Sequence, residues 1–153
     1  MTGFPLPQSL LDTLPPPPAP VGMFMPARTS GGLVYLSGLA PLDDDGQPMT
    51  GKVGAEVTPH EARLRARRVG LALLANLRAE VGDLNRVDRV VKMLGLVNAT
   101  PDFTGHPQVI DGCSEVFFEA FGPDAGRHAR TSMGVASLPG NISCEVELIV
   151  ALR

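Results

Sequence analysis

The chain has 153 residues, of which 44% are hydrophobic and 19% are charged, and its formal net charge is −3. This length suits one domain that buries a core without disulfide or metal staples. The acidic balance argues against a surface that tracks phosphates, so nucleic acid is not an expected partner. The longest apolar run, residues 69–75, is far shorter than the ~20 residues of a membrane helix, so no membrane partner is expected.

The beginning of the chain and its cysteines bear on location. The first 27 residues contain no Lys or Arg, whereas secretory signals begin with basic residues and transit peptides are rich in Arg. Cys113 and Cys144 stand apart and form no C-x-x-C motif. Two scattered thiols in such a chain predict a reducing, cytoplasmic location.

Residues 1–21 form a Pro-rich N-terminal arm ahead of a single domain that we predict over residues 22–153. Seven of the 15 prolines lie within the first 20 residues, which favours an extended polyproline II backbone. Such an arm either lies on the body of the domain or hangs free as a flexible terminus.

The domain is predicted to begin with two short strands, at residues 23–25 and 33–36, joined by a hairpin-like turn. A surface loop over residues 43–55 follows, with an acidic triplet that lacks the spacing of a calcium loop. Thr58, Pro59 and Glu61 then form a capping box that starts a helix ending at Gly82. Its apolar stripe is Leu64, Leu71, Leu74, Leu77 and Val81, and the arginines off this stripe are expected to face solvent.

The second half alternates strands and a helix. Residues 87–97 form a nearly continuous apolar strand, which is typical of a strand buried on both faces. A second helix opens at Pro107 and ends at Gly122-Pro123, with Cys113 on its buried side. Residues 130–135 and 144–152 alternate in polarity as two final strands.

The order β-β-α-β-α-β-β predicts an α+β domain whose sheet carries both helices on one face. The other face would carry Ile149 and Ala151 beside Glu145 and Glu147, with no third helix to cover it. Half-apolar sheet faces of this kind meet other subunits, so a closed homo-oligomer is expected.

The sequence shows few cofactor motifs. The three histidines lack ligand spacing, so no metal is expected, and no Gly-rich phosphate loop or nucleophile elbow is present. The candidate site is Arg130, whose planar donor fork suits a substrate carboxylate, together with Glu145 on a strand predicted to be its neighbour. Glu145 would hold a water and move a proton. The alternative is a purely structural Arg130–Glu145 ion pair.

Three segments resemble motifs of the RidA/YjgF/UK114 family. Residues 33–41 (LVYLSGLAP) resemble its "LVFVSGQ-P" strand, and residues 128–132 (HARTS) resemble its "PARS" motif. Leu138-Pro139 followed by residues 144–150 (CEVELIV) resembles its "LP…IEIEAIA" ending. The resemblance, which also includes a central strand with a "DF" turn, spans about residues 22–153.

This resemblance implies a chorismate mutase-like fold of the bacillus type, assembled as a homotrimeric barrel with three clefts between subunits. It also implies a cofactor-free hydrolase (deaminase) of small reactive enamine or imine carboxylates, giving a 2-keto acid and ammonia. Arg130 would bind the carboxylate of this small-molecule ligand, Glu145 would orient the attacking water, and Ser37 would line the cleft. Older names in the family, endoribonuclease and translation inhibitor, imply a less favoured role on RNA.

Three residues depart from the family's pattern at the expected site. Phe24 lies in a segment where the deaminase branch has "PYSQA" with a Tyr, and Ser132 stands where Cys is common. Asp111 replaces an Asn, and its carboxylate would repel an anionic substrate unless it faces away. These departures leave open a second hypothesis, a non-catalytic trimer that binds small carboxylates or other metabolites.

Overall fold

A five-stranded sheet carries two long helices on one face. The computed structural model describes residues 4–153. Its strands are β1 (Ala27–Ser30), β2 (Leu33–Leu39), β3 (Val87–Asn98), β4 (Ala129–Val135) and β5 (Cys144–Leu152). Its helices are α1 (Gln8–Leu11), α2 (Pro59–Val81) and α3 (His106–Ala125). The α+β class and the domain's order β-β-α-β-α-β-β are therefore confirmed.

The strand order is β1-β2-β5-β3-β4. All neighbours are antiparallel except β3 and β4, which run parallel because a connection containing α3 joins them. β5 pairs with the inner edge of β3, so β4 takes the outer edge and becomes an edge strand. The prediction that Glu145 lies on the strand next to Arg130 is therefore wrong.

The two faces of the sheet differ in burial. Met93 and Val97 of β3 and Leu148 of β5 point toward the helices and are fully or almost fully buried. Leu94 and Leu96, which alternate with them, are only half-buried on the other face. The prediction of a β3 strand buried on both faces is wrong within one chain, because no element between residues 4 and 153 covers this open face.

α2 begins at the predicted cap. The Thr58 hydroxyl accepts a hydrogen bond from the Glu61 N–H at 3.2 Å, and Pro59 occupies the first helical position. Leu64 was predicted to lie in the buried apolar stripe of α2, but its side chain is 52% exposed. The buried positions there are Ala62 and Ala66, because this end of α2 packs too closely on α3 to bury a leucine.

Two glycines set the distance between the long helices. A Cβ at Gly112 of α3 would lie far inside van der Waals contact of the Arg63 carbonyl oxygen. A Cβ at Gly70 of α2 would lie 2.9 Å from Val116 and 3.0 Å from the Cys113 carbonyl oxygen. The helices thus meet backbone to backbone, which fixes the position of α3 over β3 and β4.

The start of the domain differs from the prediction. Residues 23–25 form no strand; β1 begins at Ala27 and turns into β2 through Gly31 and Gly32. The residues before β1 are held instead by β2, since the Ser37 hydroxyl donates to the Met25 carbonyl at 2.6 Å. The apolar residues 23–25 therefore end the arm and do not pair in the sheet.

The described part of the arm lies on the body of the domain. Leu10 of the short helix α1 is only 6% exposed and belongs to the core. Leu6, Leu11 and Leu14 pack against the same core from the outside. Residues 4–21 therefore lie on the body of the domain and do not hang free, which decides between the two alternatives for the arm. Residues 1–3 of the predicted arm lie outside the described range.

Candidate active site

Arg130 points from β4 toward the helices and is held by α3. Its Nη1 donates to Asp111 Oδ1 at 2.7 Å and to Ser114 Oγ at 3.0 Å. Its Nη2 makes a long contact of 3.4 Å with the Pro107 carbonyl oxygen. The partner of Arg130 in the chain is thus Asp111, and the alternative of an Arg130–Glu145 ion pair is wrong.

The charges around Arg130 are balanced. The second oxygen of Asp111 lies 3.7 Å from Nη1 of Arg63 on α2. Arg63 also pairs with Glu115, so two guanidinium groups face two carboxylates. A ligand carboxylate arriving at Arg130 would meet no net charge from this cluster and would have to use hydrogen-bond donors that Asp111 leaves free.

Such donors remain on one edge of the guanidinium. Nη1 of Arg130 is fully engaged by Asp111 and Ser114, whereas Nε makes no hydrogen bond within residues 4–153. The N–H groups of Nε and Nη2 lie in one plane and point the same way, so they can donate two parallel hydrogen bonds to a carboxylate. Asp111 therefore occupies one side of Arg130 and leaves the other side able to bind an anion.

His128 joins this cluster through Ser114. The His128 Nδ1 lies 2.8 Å from the Gly126 carbonyl oxygen, which can only accept, so Nδ1 carries the proton. Burial lowers the pKa of His128, and Arg130 adds to this effect against the Gly126 hydrogen bond. In the neutral ring Nε2 accepts from Ser114 Oγ at 3.0 Å.

Sequence reasoning missed Ser114 and His128. They are 14 residues apart and meet only because the chain turns back after α3 at Gly126. The one signal available was position, since His128 stands two residues before Arg130 and replaces the Pro of the family's "PARS" motif.

Ser132 also lies on the helix side of β4, opposite Gly95 of β3. Its hydroxyl oxygen is buried and has no hydrogen-bond partner among the described residues. Ser132 therefore lies two residues beyond Arg130 on the same face, under α3.

Glu145 lies on the open face of β5, on the opposite side of the sheet from Arg130. Its carboxylate rests against Gly38 of β2, where any Cβ would collide with Oε1. Burial raises the pKa of Glu145, and the neighbouring Glu147 raises it further. The site thus holds a carboxyl group that takes up a proton more readily than an ordinary Glu.

A cleft of about 550 Å³ lies beside Glu145. Its walls are arm residues 18–21 with Phe24, the end of β2 at 38–40, and residues 139–142. Glu145 is the one ionisable residue among those lining it. Ser37 was predicted to line the cleft, but it is not among the residues that line this one, and its hydroxyl donates to the Met25 carbonyl oxygen. The cleft is therefore apolar with a single carboxyl group.

The predicted site residues thus fall into two groups. Arg130, Asp111 and Ser132 lie on the helix face, whereas Glu145 and Phe24 line the open-face cleft and Ser37 lies next to it. β3 separates the two groups, and because neighbouring strands are ~4.8 Å apart they stand at least about 10 Å apart. One chain does not bring Arg130 and Glu145 together.

Within residues 4–153, no three His, Cys, Asp or Glu side chains come close enough together to hold a metal ion. Both cysteines are buried free thiols, and burial raises the pKa of Cys144 to about 12. None of the helices described is both long and apolar enough to cross a membrane.

Comparison with known proteins places this fold. A model of the family described as "YjgF/chorismate mutase-like, putative endoribonuclease" matches residues 10–152. Protein TCP17 of Trypanosoma cruzi is 40% identical over 140 residues, which are 92% of this chain and 88% of that protein.

Two crystal structures match at high similarity. A Shewanella oneidensis protein described as a "putative endoribonuclease" is 30% identical, with a TM-score of 0.90 over 97% of this chain and all of that one. An Agrobacterium tumefaciens protein of unknown function is 37% identical, with a TM-score of 0.79 over 84% of this chain and 82% of that one. The resemblance seen in the sequence is confirmed, and the chain belongs to the YjgF/chorismate mutase-like family.

Proposed function

We propose that this chain is a cofactor-free hydrolase of small enamine or imine carboxylates, which it converts to a 2-keto acid and ammonia. Family membership supports the class of reaction. The observation that carries the proposal is Glu145, a partly desolvated carboxyl group at the end of an apolar cleft. A carboxylate whose pKa is raised toward neutral is a better proton acceptor and suits a general base.

We further propose that the working site lies between copies in a homotrimer, with Arg130 of one copy facing Glu145 of the next. The two residues lie on opposite faces of the sheet, so a neighbouring copy has to supply one of them. The open face is suited to such a contact, because Tyr35 and Met133 on it are 44% and 42% exposed. β4 is an edge strand that an adjacent copy can approach.

In this assembled cleft, the Nε–Nη2 edge of Arg130 binds the substrate carboxylate. Glu145 takes a proton from water while the water oxygen bonds to the imine carbon, and it passes this proton to the imine nitrogen, which gives a carbinolamine with an amino group. Glu145 then takes the hydroxyl proton of the carbinolamine and delivers it to the amino nitrogen as the C–N bond breaks, so ammonia leaves. One water is consumed, and the carbon left behind is the carbonyl of the 2-keto acid.

A non-catalytic carboxylate-binding trimer is the second candidate. Phe24 supports it, because a phenyl ring at the cleft has no hydroxyl to exchange protons where the deaminase branch has a Tyr. An endoribonuclease role, which the descriptions of relatives suggest, is less favoured by the charges. Four arginines of α2 are already paired with carboxylates: Arg63 with Glu115, Arg65 with Glu61, Arg67 with Glu119, and Arg68 with Asp44.

The test uses imines generated in situ by an amino-acid oxidase, with the rate of imine loss measured between pH 4 and 9. Wild type should accelerate the loss, and kcat/KM should fall on the acid side around a pKa above 4.5, because Glu145 must be ionised to act. Glu145→Gln should bind 2-ketobutyrate while its turnover collapses. If wild type never exceeds buffer while 2-ketobutyrate raises its melting temperature, the binding candidate is correct.

A further inference from the structure

We propose that Ser114 and His128 are positioning residues that hold Arg130 with its Nε–Nη2 edge facing the substrate. This inference rests on the proposed function, in which Arg130 binds the substrate carboxylate. It assigns a role to two side chains to which the motif resemblance gives none: Ser114 lies outside the motifs, and His128 stands where the family's "PARS" motif has Pro.

The hydrogen bonds run in one direction along the cluster. The Gly126 carbonyl accepts from His128 Nδ1 at 2.8 Å, which leaves Nε2 as an acceptor for Ser114. The Ser114 hydroxyl also lies 3.5 Å from Met93 Sδ, but a thioether is a weak acceptor, so its single proton goes to His128 Nε2 at 3.0 Å and its lone pairs accept from Arg130 Nη1 at 3.0 Å. Each hydrogen bond determines which atom donates in the next one. The Gly126 carbonyl thus orients the guanidinium of Arg130 through His128 and Ser114.

This arrangement is needed because Asp111 alone does not define the plane of the guanidinium. One bond from Nη1 to Asp111 leaves the group free to rotate about that contact, whereas a second acceptor at Ser114 fixes its plane. Ser114 is 7% exposed and lies inside α3, whose position is set by its contact with α2. The second acceptor is therefore rigidly placed.

The charged groups around His128 support its neutral form. Arg130 lies one hydroxyl away, and Arg127 stacks over Phe118, whose ring edge faces His128. The nearest carboxylate, Asp111, already pairs with Arg130 and Arg63. Lys92 of β3 is turned to the open face, where it binds Thr131. A protonated His128 would add a third positive charge near two arginines and would remove the acceptor that Ser114 uses.

The hydrogen bonds from Gly126 through His128 and Ser114 to Arg130 are called the relay below. Enzyme kinetics on three variants test it. Ser114→Ala and His128→Phe should each raise KM for the imine roughly 3- to 10-fold, as expected for one lost hydrogen bond, with kcat nearly unchanged. The double variant should be no worse than either single variant, because both changes break the same series of bonds. Thr29→Val, which removes an exposed hydroxyl on β1 at the other edge of the sheet, is the matched control and should keep the wild-type KM.

Additive losses in the double variant, or an equal loss in Thr29→Val, would overturn the relay and leave only a packing role. So would variants that change kcat and not KM. If His128→Phe fails to fold, the test is the ¹⁵N chemical shifts of the His128 ring in the wild-type protein. Near pH 7.5 they should show Nδ1 protonated and Nε2 unprotonated. The opposite tautomer contradicts the proposal.

The proposed function and the relay can fail separately. If wild type neither binds 2-ketobutyrate nor hydrolyses any imine, the proposed function is wrong. The relay is then judged from the ¹⁵N–¹H resonance of Arg130 Nε, which Ser114→Ala and His128→Phe should both shift and Thr29→Val should not. An Arg130 resonance that neither variant moves overturns the relay by itself.

Discussion

Arg130 has two hydrogen-bonding edges, and the chain occupies only one of them. Asp111 and Ser114 accept hydrogen bonds from Nη1. Within residues 4–153, Nε donates no hydrogen bond and Nη2 makes only the long contact with the Pro107 carbonyl oxygen. An Asp at position 111 therefore need not exclude an anionic substrate. It neutralises the guanidinium, and Arg63 in turn compensates Asp111. In the proposed function, the substrate carboxylate would meet a directional pair of donors, and recognition by Arg130 would depend on hydrogen-bond geometry more than on net charge.

We predict that Arg130→Lys loses most of the hydrolytic activity although the charge is kept, because an ammonium group cannot form two parallel bonds to a carboxylate. The loss should be about 30- to 1000-fold in kcat/KM, which corresponds to roughly 2–4 kcal/mol of transition-state binding. Imine loss and circular dichroism, measured together, separate activity from folding.

Arg127→Lys is the matched control for this substitution, since Arg127 is exposed and stacks on Phe118 away from Asp111. It should retain wild-type activity. An Arg130→Lys protein that hydrolyses imines normally would show that the carboxylate binds elsewhere. An unfolded one would show that the ion pair with Asp111 serves the fold.

Some of these side chains were predictable from the sequence and some were not. Arg130 and Glu145 stand in recognisable motifs, and donor geometry and proton transfer suggest their roles. The pairing of Ser114 with His128 was not predictable, because their contact depends on how far α3 extends before the turn at Gly126. The placement of Ser37 at the base of the arm likewise depends on a hydrogen bond to Met25 that no spacing indicates.

The contact between α2 and α3 is the element on which the Arg130 cluster depends. α2 supplies Arg63 to the cluster and α3 supplies Asp111 and Ser114, so a change in helix spacing moves the partners of Arg130. Gly112 lies where the helices touch, directly against the Arg63 carbonyl. Packing in this contact and recognition at Arg130 are therefore coupled.

We predict that Gly112→Ala destabilises the protein by about 1–3 kcal/mol, because the new methyl group forces the two helix backbones apart. Urea unfolding should show the lower midpoint, and affinity for 2-ketobutyrate should fall with it. Gln108→Ala, at an exposed position in the first turn of α3, is the control and should stay within about 0.5 kcal/mol of wild type. A Gly112→Ala protein as stable as wild type would contradict the close contact.

The arm is the second element that shapes the site. Leu10 anchors it in the core, and the Ser37–Met25 hydrogen bond holds it at the other end. Residues 18–21 between these two points form part of the wall beside Glu145. The prolines keep the segment extended, so it spans the distance with little conformational freedom to lose.

We predict that Leu10→Ala loosens the arm and lowers the free energy of unfolding by about 2–5 kcal/mol, the usual cost of removing a buried leucine side chain. Leu64→Ala, at a 52% exposed position of α2, is the matched control and should cost far less. Chemical unfolding followed by circular dichroism measures both. Equal, small effects would mean that the arm does not contribute to the core.

Local periodicity predicts the elements of this fold better than it predicts their arrangement. The helices and the order of strands along the chain follow from capping residues and from alternation. The position of β3 between β4 and β5 does not, because it depends on which edge of the sheet each connection reaches. The exposure of Leu64 has a similar cause, since the depth of burial along α2 is decided by the close contact with α3.

At the scale of the whole molecule, the sheet separates the two halves of the site. Arg130 is covered by helices on one face, and Glu145 opens onto the other face beside the arm. The motif resemblance predicts that both residues belong to one site, but a single chain holds them on opposite faces of the sheet. In a symmetric closed assembly the two residues could still meet, because every copy would supply an Arg130 to one neighbour and a Glu145 to the other.

Light scattering gives the first requirement of this assembly, a mass about three times the 16.1 kDa of one chain. The decisive measurement mixes two inactive proteins, Arg130→Lys and Glu145→Gln, co-expressed with different tags and purified as mixed trimers. If the site forms between copies, each mixed trimer has both native residues in one of its three clefts, and about a third of wild-type activity should return. Mixed trimers as inactive as either parent, beside an active wild type, would contradict a site shared between chains.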